Sequence, residues 1–442
     1  MRTPASPPDI GRVLTATDPT TFLRAVELGR LEEGYPHWDK LRRRPAPEGL
    51  TAELWWAGVK LSRVMRQLPL RATDGFPFVF SLPPLLDKAL HEVSIHTAGD
   101  IGVSATVLHD ESRNRYLLSS LREEAISSSL LEGAATTRQL ANEMLRSSRP
   151  PRTKGERMVS NNYAAMQWIK RHKDEAVTPE RVQEVHAILT EGTLDDPADE
   201  GRIQTPEDVR VYVEGPDRDV VHQPPPAKDL PGRLDALCRF ANGGEEGDQW
   251  IHPLVRAIIT HFMVGYDHYF VDGNGRTARA LFYWVALREG HWLIEYLTLS
   301  RFLVEAPAQY AQAYLYTETD GGDVTYFLIH QLEVLQKCLS ALSDYVQARQ
   351  KEALSARQLT AGLGLNHRQL AVVYKAAEDP GTRVTAQSHA QSHAVTLQTA
   401  RSDLAGLEEL GLLHSERRGR RVEWIPAAKI VDRLSKLNAA EL

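Results

Sequence analysis

Residues 252–289 constrain the fold most. The run His252-Pro253-Leu254-Val255-Arg256-Ala257-Ile258-Ile259-Thr260-His261-Phe262-Met263-Val264-Gly265 is apolar on most faces, and a helix that is hydrophobic nearly all round belongs in the middle of a core. Pro253 suits its first turn, where a missing N–H costs nothing. A second helical run, Thr277 to Glu289, carries Ala280-Leu281-Phe282-Tyr283-Trp284-Val285-Ala286-Leu287 and continues the same core. Gly273-Asn274-Gly275 stands between the two. Two central helices joined through a glycine turn predict a mainly α domain, with the turn fixed at the edge of its core.

The connecting stretch, His268-Tyr269-Phe270-Val271-Asp272-Gly273-Asn274-Gly275-Arg276-Thr277-Ala278-Arg279, has the chemistry of an anion site. Gly273 and Gly275 allow successive backbone N–H groups to surround a phosphate, and the first turn of the following helix adds unpaired donors and a positive dipole end. Arg276 and Arg279 are three residues apart, so both guanidinium groups can face one polyphosphate. Asp272 is a hard oxygen ligand of the kind a phosphate-bound Mg2+ ion needs. His268 is the one group in the stretch that titrates near neutral pH, which makes it the natural general base. Together they describe nucleotidyl or phosphoryl transfer. His261, on a similar face of the preceding run, is expected to be a satisfied core histidine.

This stretch resembles the signature of the Fic family, H-P-F-x-[D/E]-G-N-G-R-x-x-R, at every specified position but the second, where Tyr269 replaces proline. The substitution leaves every chemical group intact and bears on the shape of the loop. The resemblance implies a protein adenylyltransferase that moves AMP from Mg-ATP to a hydroxyl side chain (Ser, Thr or Tyr) of a target protein, itself included. It implies His268 as base, Asp272 at the metal, Gly273, Asn274, Gly275, Arg276 and Arg279 at the phosphates. Upstream, Leu117, Leu118, Leu121, Ala125, Leu130 and Leu131 recur at helical spacing, which predicts an amphipathic helix over about 112–133. Its end, Ser128-Ser129-Leu130-Leu131-Glu132-Gly133, resembles the inhibitory motif [S/T]-x-x-x-E-[G/N] of one Fic class. The implied pair is Glu132 with Arg279: an arginine already bound to a carboxylate cannot clamp the γ-phosphate. Between Arg202 and Pro226, Val209-Arg210-Val211-Tyr212-Val213 and Asp219-Val220-Val221-His222 read as a hairpin. In Fic proteins such a flap (here about 205–223) docks the target segment by strand addition, which implies Val211, Tyr212 and Val213 as the docking edge. Three alternatives stay open: AMP removal, with Glu132 aligning a water; a donor other than ATP; and a DNA-bound regulator whose Fic domain senses nucleotide.

The remaining chain is expected to divide into a helical N-terminal extension (1–98), a Fic domain (99–345), a charged linker (346–355) and a C-terminal domain (356–442). A chain of 442 residues with net charge −6 has room for about three domains and shows no global signature of nucleic-acid binding. In the extension, amphipathic pieces are predicted around Thr20–Glu32 and Ala52–Met65, with an extended segment at Gly75–Phe80. The C-terminal part resembles a winged helix-turn-helix, with helices at His367–Glu378, Val384–His393 and Thr396–Leu410. The last is expected to bury Leu397, Ala400, Leu404, Leu407 and Leu410. Arg401 on that helix and Arg417, Arg418, Arg420 and Arg421 on the wing are the candidate contacts to DNA phosphates. His389 and His393, in the repeat Gln387-Ser388-His389-Ala390 and Gln391-Ser392-His393-Ala394, lack an evident third metal ligand. Cys238 and Cys338 lack metal or disulfide spacing and are expected as inert core residues. No apolar run approaches a membrane span and the first residues have no signal-like core, so a cytoplasmic protein is expected, compatible with a homodimer.

Overall fold

The computed structural model describes residues 3–99, 110–210, 212–214, 220–244, 248–360, 363–378, 380–418 and 421–440. Two compact units divide the chain: Met1–Gly99 with Ser119–Leu339, and Asp100–Leu118 with Ser340–Leu442. The first is mainly helical, as expected. At its centre the helix Pro253–Asp267 is capped by His252, whose Nδ1 accepts the Leu254 N–H at 3.1 Å, and thirteen of its fifteen residues are buried. The motif helix Asn274–Arg288 packs along it and is just as buried, from Asn274 to Leu287. Full burial of a side chain such as Phe262 or Phe282 contributes about 1.5–3 kcal/mol, so this helix pair is the stable floor of the site. Helices Lys154–His172, Pro179–Thr190 and Leu230–Ala241 surround it. Thr153 and Thr178 start the first two of these by accepting the N–H groups of Glu156 and Arg181.

The 1–98 segment packs into this same unit. Helices Pro19–Arg30 and Ala52–Ser62 cross with backbones touching. A Cβ at Gly58 would stand 2.0 Å from the Ala25 carbonyl oxygen, and one at Gly29 would stand 2.4 Å from the Gly58 carbonyl carbon. Beyond them, Lys60 and Arg63 form a largely buried ion cluster with Asp320 and Asp323. The expected extended segment is the second strand of a hairpin, Arg66–Arg71 with Pro77–Phe80. The first strand escaped the sequence reading because Pro69 interrupts it. It is nonetheless an alternating strand, with Leu68 and Leu70 buried, and in a two-stranded sheet the proline can face away from the ladder. Val79 ties the hairpin to residues 322–324 by hydrogen bonds with Gly322 and Val324.

The predicted long helix is present as Asp110–Leu131. Leu117, Leu121 and Ala125 are buried, but Leu118, expected on the apolar face, is 41% exposed. Glu124, expected outside that face, is buried: its carboxylate accepts the Ser300 N–H at 2.9 Å and the Ser300 hydroxyl. The apolar stripe and the buried side differ because a polar group can be buried when fully hydrogen-bonded. The flap hairpin forms, but it is shorter than expected, pairing Val213 with His222 and Glu214 with Val220. Residues 209–210 stay out of the ladder, and the Arg210 side chain reaches the end of the central helix.

In the second unit, residues 346–355, expected as a linker, lie inside the helix Thr325–Leu359. Helices His367–Glu378, Ala386–His393 and Leu397–Glu409 follow. A hairpin then pairs Leu413–Arg418 with Arg421–Pro426, and a final helix spans Ile430–Ala440. Leu404, Leu407, Leu412 and Trp424 share one core. Leu397 and Leu410, expected buried, are 50% and 39% exposed, because they stand at the two ends of their helix, beyond its buried stripe of Ala400, Asp403, Leu404 and Leu407. Asp403 gathers Arg368, Asn366 and His389. Arg401 and Arg417 are exposed; Arg420 and the side chains of Arg418 and Arg421 lie outside the described residues. Among the described residues no group of three or more His, Cys, Asp or Glu is gathered to hold a metal, and no helix is long and apolar enough to cross a membrane.

The helix crossing gives a paired prediction. Gly58→Ala should lower stability by about 1–3 kcal/mol through overpacking. Gly232→Ala, on Leu230–Ala241 with open space around its Cβ, should raise it by about 0.4–1 kcal/mol. Urea unfolding of both variants checks this, and shifts of the same sign would contradict it.

Candidate active site

His268 ends the central helix in the left-handed region, with φ at +50°. Its N–H donates to the Val264 carbonyl at 3.1 Å, and its Nδ1–H donates to the Gly265 carbonyl at 2.7 Å. The second bond fixes the tautomer: Nε2 carries the lone pair and is the ring atom available to accept a proton. Burial pushes the imidazole down to about 4, opposed by the Gly265 carbonyl and reinforced by His222 and Arg210. The ring is therefore neutral at pH 7. Tyr269, in place of proline, is fully buried; its hydroxyl donates to Asp267 at 2.6 Å, and Arg233 donates to the same carboxylate at 2.8 Å. A hydrogen-bonded ring thus holds the loop where the proline would have stiffened it.

The glycine turn is braced from both sides. The Asn274 side chain spans the loop, accepting the Phe270 N–H at 3.0 Å and donating to the Phe270 carbonyl at 2.7 Å. Gly273 has φ at +80°, and a Cβ there would meet Thr190 at 2.8 Å. Beneath it His186 stacks on Phe270, with centroids 3.7 Å apart, and donates from Nε2 to the Asp272 carbonyl at 2.8 Å. Arg276 is buried and donates to the Leu189 carbonyl at 2.8 Å. The last turn of Pro179–Thr190 is therefore a clamp on the turn. No local pattern in the sequence marks His186 for this role, because Asp272 is 86 residues away.

Arg279 is fully buried and makes three contacts with the end of the long helix. Nε donates to Ser128 Oγ at 2.9 Å, and Nη2 donates to the Ser128 carbonyl and to Glu132 Oε1, both at 3.0 Å. Burial opposes its charge, and Glu132, Tyr310 and Glu124 together more than offset that, so its pKa is raised. Glu132 also lies on Gly275: a Cβ there would stand 2.2 Å from Glu132 Oε1. The carboxylate thus occupies the space over the first turn of the motif helix. Two buried donors beside it, Arg276 Nε and Arg279 Nη1, have no hydrogen-bond partner, and buried guanidinium N–H groups of this kind fit phosphate oxygens. Asp272 is 59% exposed at its side chain and accepts the Gly273 N–H through Oδ1. As a single exposed carboxylate it fits a metal that takes most of its ligands from phosphate and water.

The sequence-predicted residues His268, Asp272, Gly273, Asn274, Gly275, Arg276, Arg279, Ser128 and Glu132 thus converge on one turn. On the flap, Tyr212 is 46% exposed and Val220 56%; Val213 is seen only through its backbone pairing, and Val211 lies outside the described residues. Two flap side chains that sequence reasoning passed over reach the end of the central helix. Arg210 donates to the His268 carbonyl at 2.6 Å, and His222 faces the Tyr266 carbonyl at 2.7 Å. His261 is buried, with Nε2 2.7 Å from the Tyr310 hydroxyl.

Comparison with known proteins bears on the family of the chain. Residues 176–286 match the model of the Fic/DOC family. The protein adenylyltransferase Fic of Nematostella vectensis is 29% identical over 118 residues, 27% of this chain and 25% of that protein. Its namesake in Drosophila melanogaster is 35% identical over 82 residues, 19% of this chain and 15% of that protein. The matched part spans a quarter or less of these relatives. A Fic family protein from Desulfovibrio desulfuricans G20 shares the fold, with a TM-score of 0.51 at 18% identity, covering 79% of this chain and 98% of that one. The chain therefore carries a Fic domain over residues 176–286.

Proposed function

We propose that this chain is an auto-inhibited protein adenylyltransferase, which transfers AMP from Mg-ATP to a serine, threonine or tyrosine hydroxyl of a target protein, its own chain included. The observation that carries the reading is the Glu132 carboxylate seated on Gly275 and bound to Arg279. It is an anion already lodged where the glycine turn, the helix N-terminus and a buried arginine favour one. The two adenylyltransferases that share 29% and 35% identity with parts of this chain support the same direction of transfer.

In this reading the target hydroxyl, lying along the flap, gives its proton to His268 Nε2 as its oxygen attacks the α-phosphorus. The bond to the bridging oxygen breaks, AMP is joined to the target, and pyrophosphate leaves. The backbone of the Gly273-Asn274-Gly275 turn stabilises the phosphoryl oxygens, and Arg276 and Arg279 neutralise the departing pyrophosphate. Asp272 would hold the magnesium ion, which supplies charge neutralisation along the phosphates. A neutral, desolvated imidazole is a weak base in isolation. The approach of anionic phosphates favours its charged form and so strengthens it as the nucleotide binds. Glu132 opposes all of this by holding Arg279.

Two outcomes test the reading in the Glu132→Gly protein with α-labelled ATP. Changing His268 to Ala should lower label transfer by about 10²–10⁴-fold, as loss of a general base does, while nucleotide still binds; transfer that survives would remove His268 from the chemistry. The pH profile gives the second. A base depressed to about 4 is unprotonated throughout the neutral range, so kcat/KM should stay level from about pH 8 to 5 and fall only as pH drops through about 4. An acid limb centred near the ordinary histidine value would contradict the buried, neutral base.

A further inference from the structure

We propose that Arg210, three residues before the first flap strand, and His222, at the end of the second, are positioning residues that set the catalytic imidazole by capping the central helix. The last turn of an α-helix leaves carbonyls without partners inside the helix. Here each has an identified donor, and only one of those donors is backbone. Val264 takes the His268 N–H and Gly265 takes His268 Nδ1. Tyr266 is met by His222 Nε2 at 2.7 Å, Asp267 by Arg210 Nη2 at 2.5 Å, and His268 itself by Arg210 Nη1 at 2.6 Å. Where a helix ends on a left-handed residue, that residue is usually a glycine, which adopts the conformation freely. This one stops on histidine, whose side chain makes that conformation unfavourable by about 1–2 kcal/mol, so the conformation persists only where its surroundings hold it.

The two flap residues supply that hold. Arg210 has further anchors at the Pro225 carbonyl (2.8 Å) and Gln204 Oε1 (3.0 Å), and the Gln204 N–H donates to the Tyr269 carbonyl at 2.9 Å. His222 is buried, with Nδ1 2.7 Å from the Glu318 carboxylate, so both of its ring nitrogens face oxygen. Arg210 also brings a positive charge to the negative end of the helix dipole. Each strand of the flap is thus rooted in the same turn that fixes the orientation of His268 Nε2. The positioning role rests on the adenylyltransferase reading for its rate consequence, though not for its structural one.

Two measurements test it. In the Glu132→Gly protein, Arg210→Met and His222→Phe should each lower kcat for label transfer by about tenfold or more, with KM for Mg-ATP within about twofold, while Arg210→Lys recovers part of the loss. In the otherwise unaltered protein with 15N-labelled histidine, the ring resonances of His268, assigned by their loss in His268→Ala, should show the Nδ1–H tautomer. Arg210→Met should move them to an averaged or reversed tautomer at an unchanged unfolding midpoint. If the Glu132→Gly parent itself transfers no label, the adenylyltransferase reading fails, and the resonance experiment still decides this proposal. An unchanged His268 tautomer overturns it. So does a loss of kcat that appears only together with lost ATP binding and a lowered unfolding midpoint.

Discussion

A fully buried arginine must keep its charge compensated, and Arg279 does so through Ser128 and Glu132, with only Nη1 left unpaired. Taking a charge out of water costs several kcal/mol, and removing one partner of a buried pair costs about 3–5 kcal/mol. An isolated Arg279 would therefore be a liability to the fold. Glu132 answers that need from within the chain, and in the proposed reaction a phosphate answers it from outside. In that proposal the two anions satisfy the same requirement at the same place, so the restraint would be a competition that needs no large rearrangement. Gly275 permits the close seat of the carboxylate, and Glu124, hydrogen-bonded to Ser300 two turns earlier on the same helix, anchors the helix that delivers it.

The rest of the site is built to keep one turn still. Asn274 closes the loop on itself, His186 supports it from below, and the Leu189 carbonyl fixes Arg276. The base is handled differently. His268 lies in an unfavourable backbone conformation at the end of a helix that is buried on all sides. Its partners come from three places: its own preceding turn, the flap and, through Asp267, the Tyr269 and Arg233 network. In the proposed reaction a target hydroxyl would meet a base whose orientation is already set.

What could be read from sequence follows from how far apart the cooperating residues lie. The turn from His268 to Arg279 was legible as a candidate site because residues with the chemistry of an anion cradle, a base and a metal ligand are neighbours in sequence there. Glu132 was legible through the short motif around it, and the central helices through their apolar runs. His186, Arg210, His222 and Glu124 were not, because each is an ordinary polar residue until the fold brings it to a carbonyl or an N–H far along the chain. Periodicity also misjudged the ends of elements. Leu397 and Leu410 continue their apolar stripe in spacing, but their helix ends there. The strand Arg66–Arg71 was hidden by Pro69, although Leu68 and Leu70 alternate as a half-buried strand should.

The central claim is that Glu132, by holding Arg279, keeps an otherwise complete transferase silent. The most direct test is label transfer from α-labelled ATP with magnesium by the unaltered protein and by Glu132→Gly, side by side at equal ATP. The account predicts weak labelling by the first and at least about tenfold more by the second, equivalent to about 1.4 kcal/mol or more of relieved restraint. Equal labelling by the two, or silence from Glu132→Gly while it binds ATP, would contradict it.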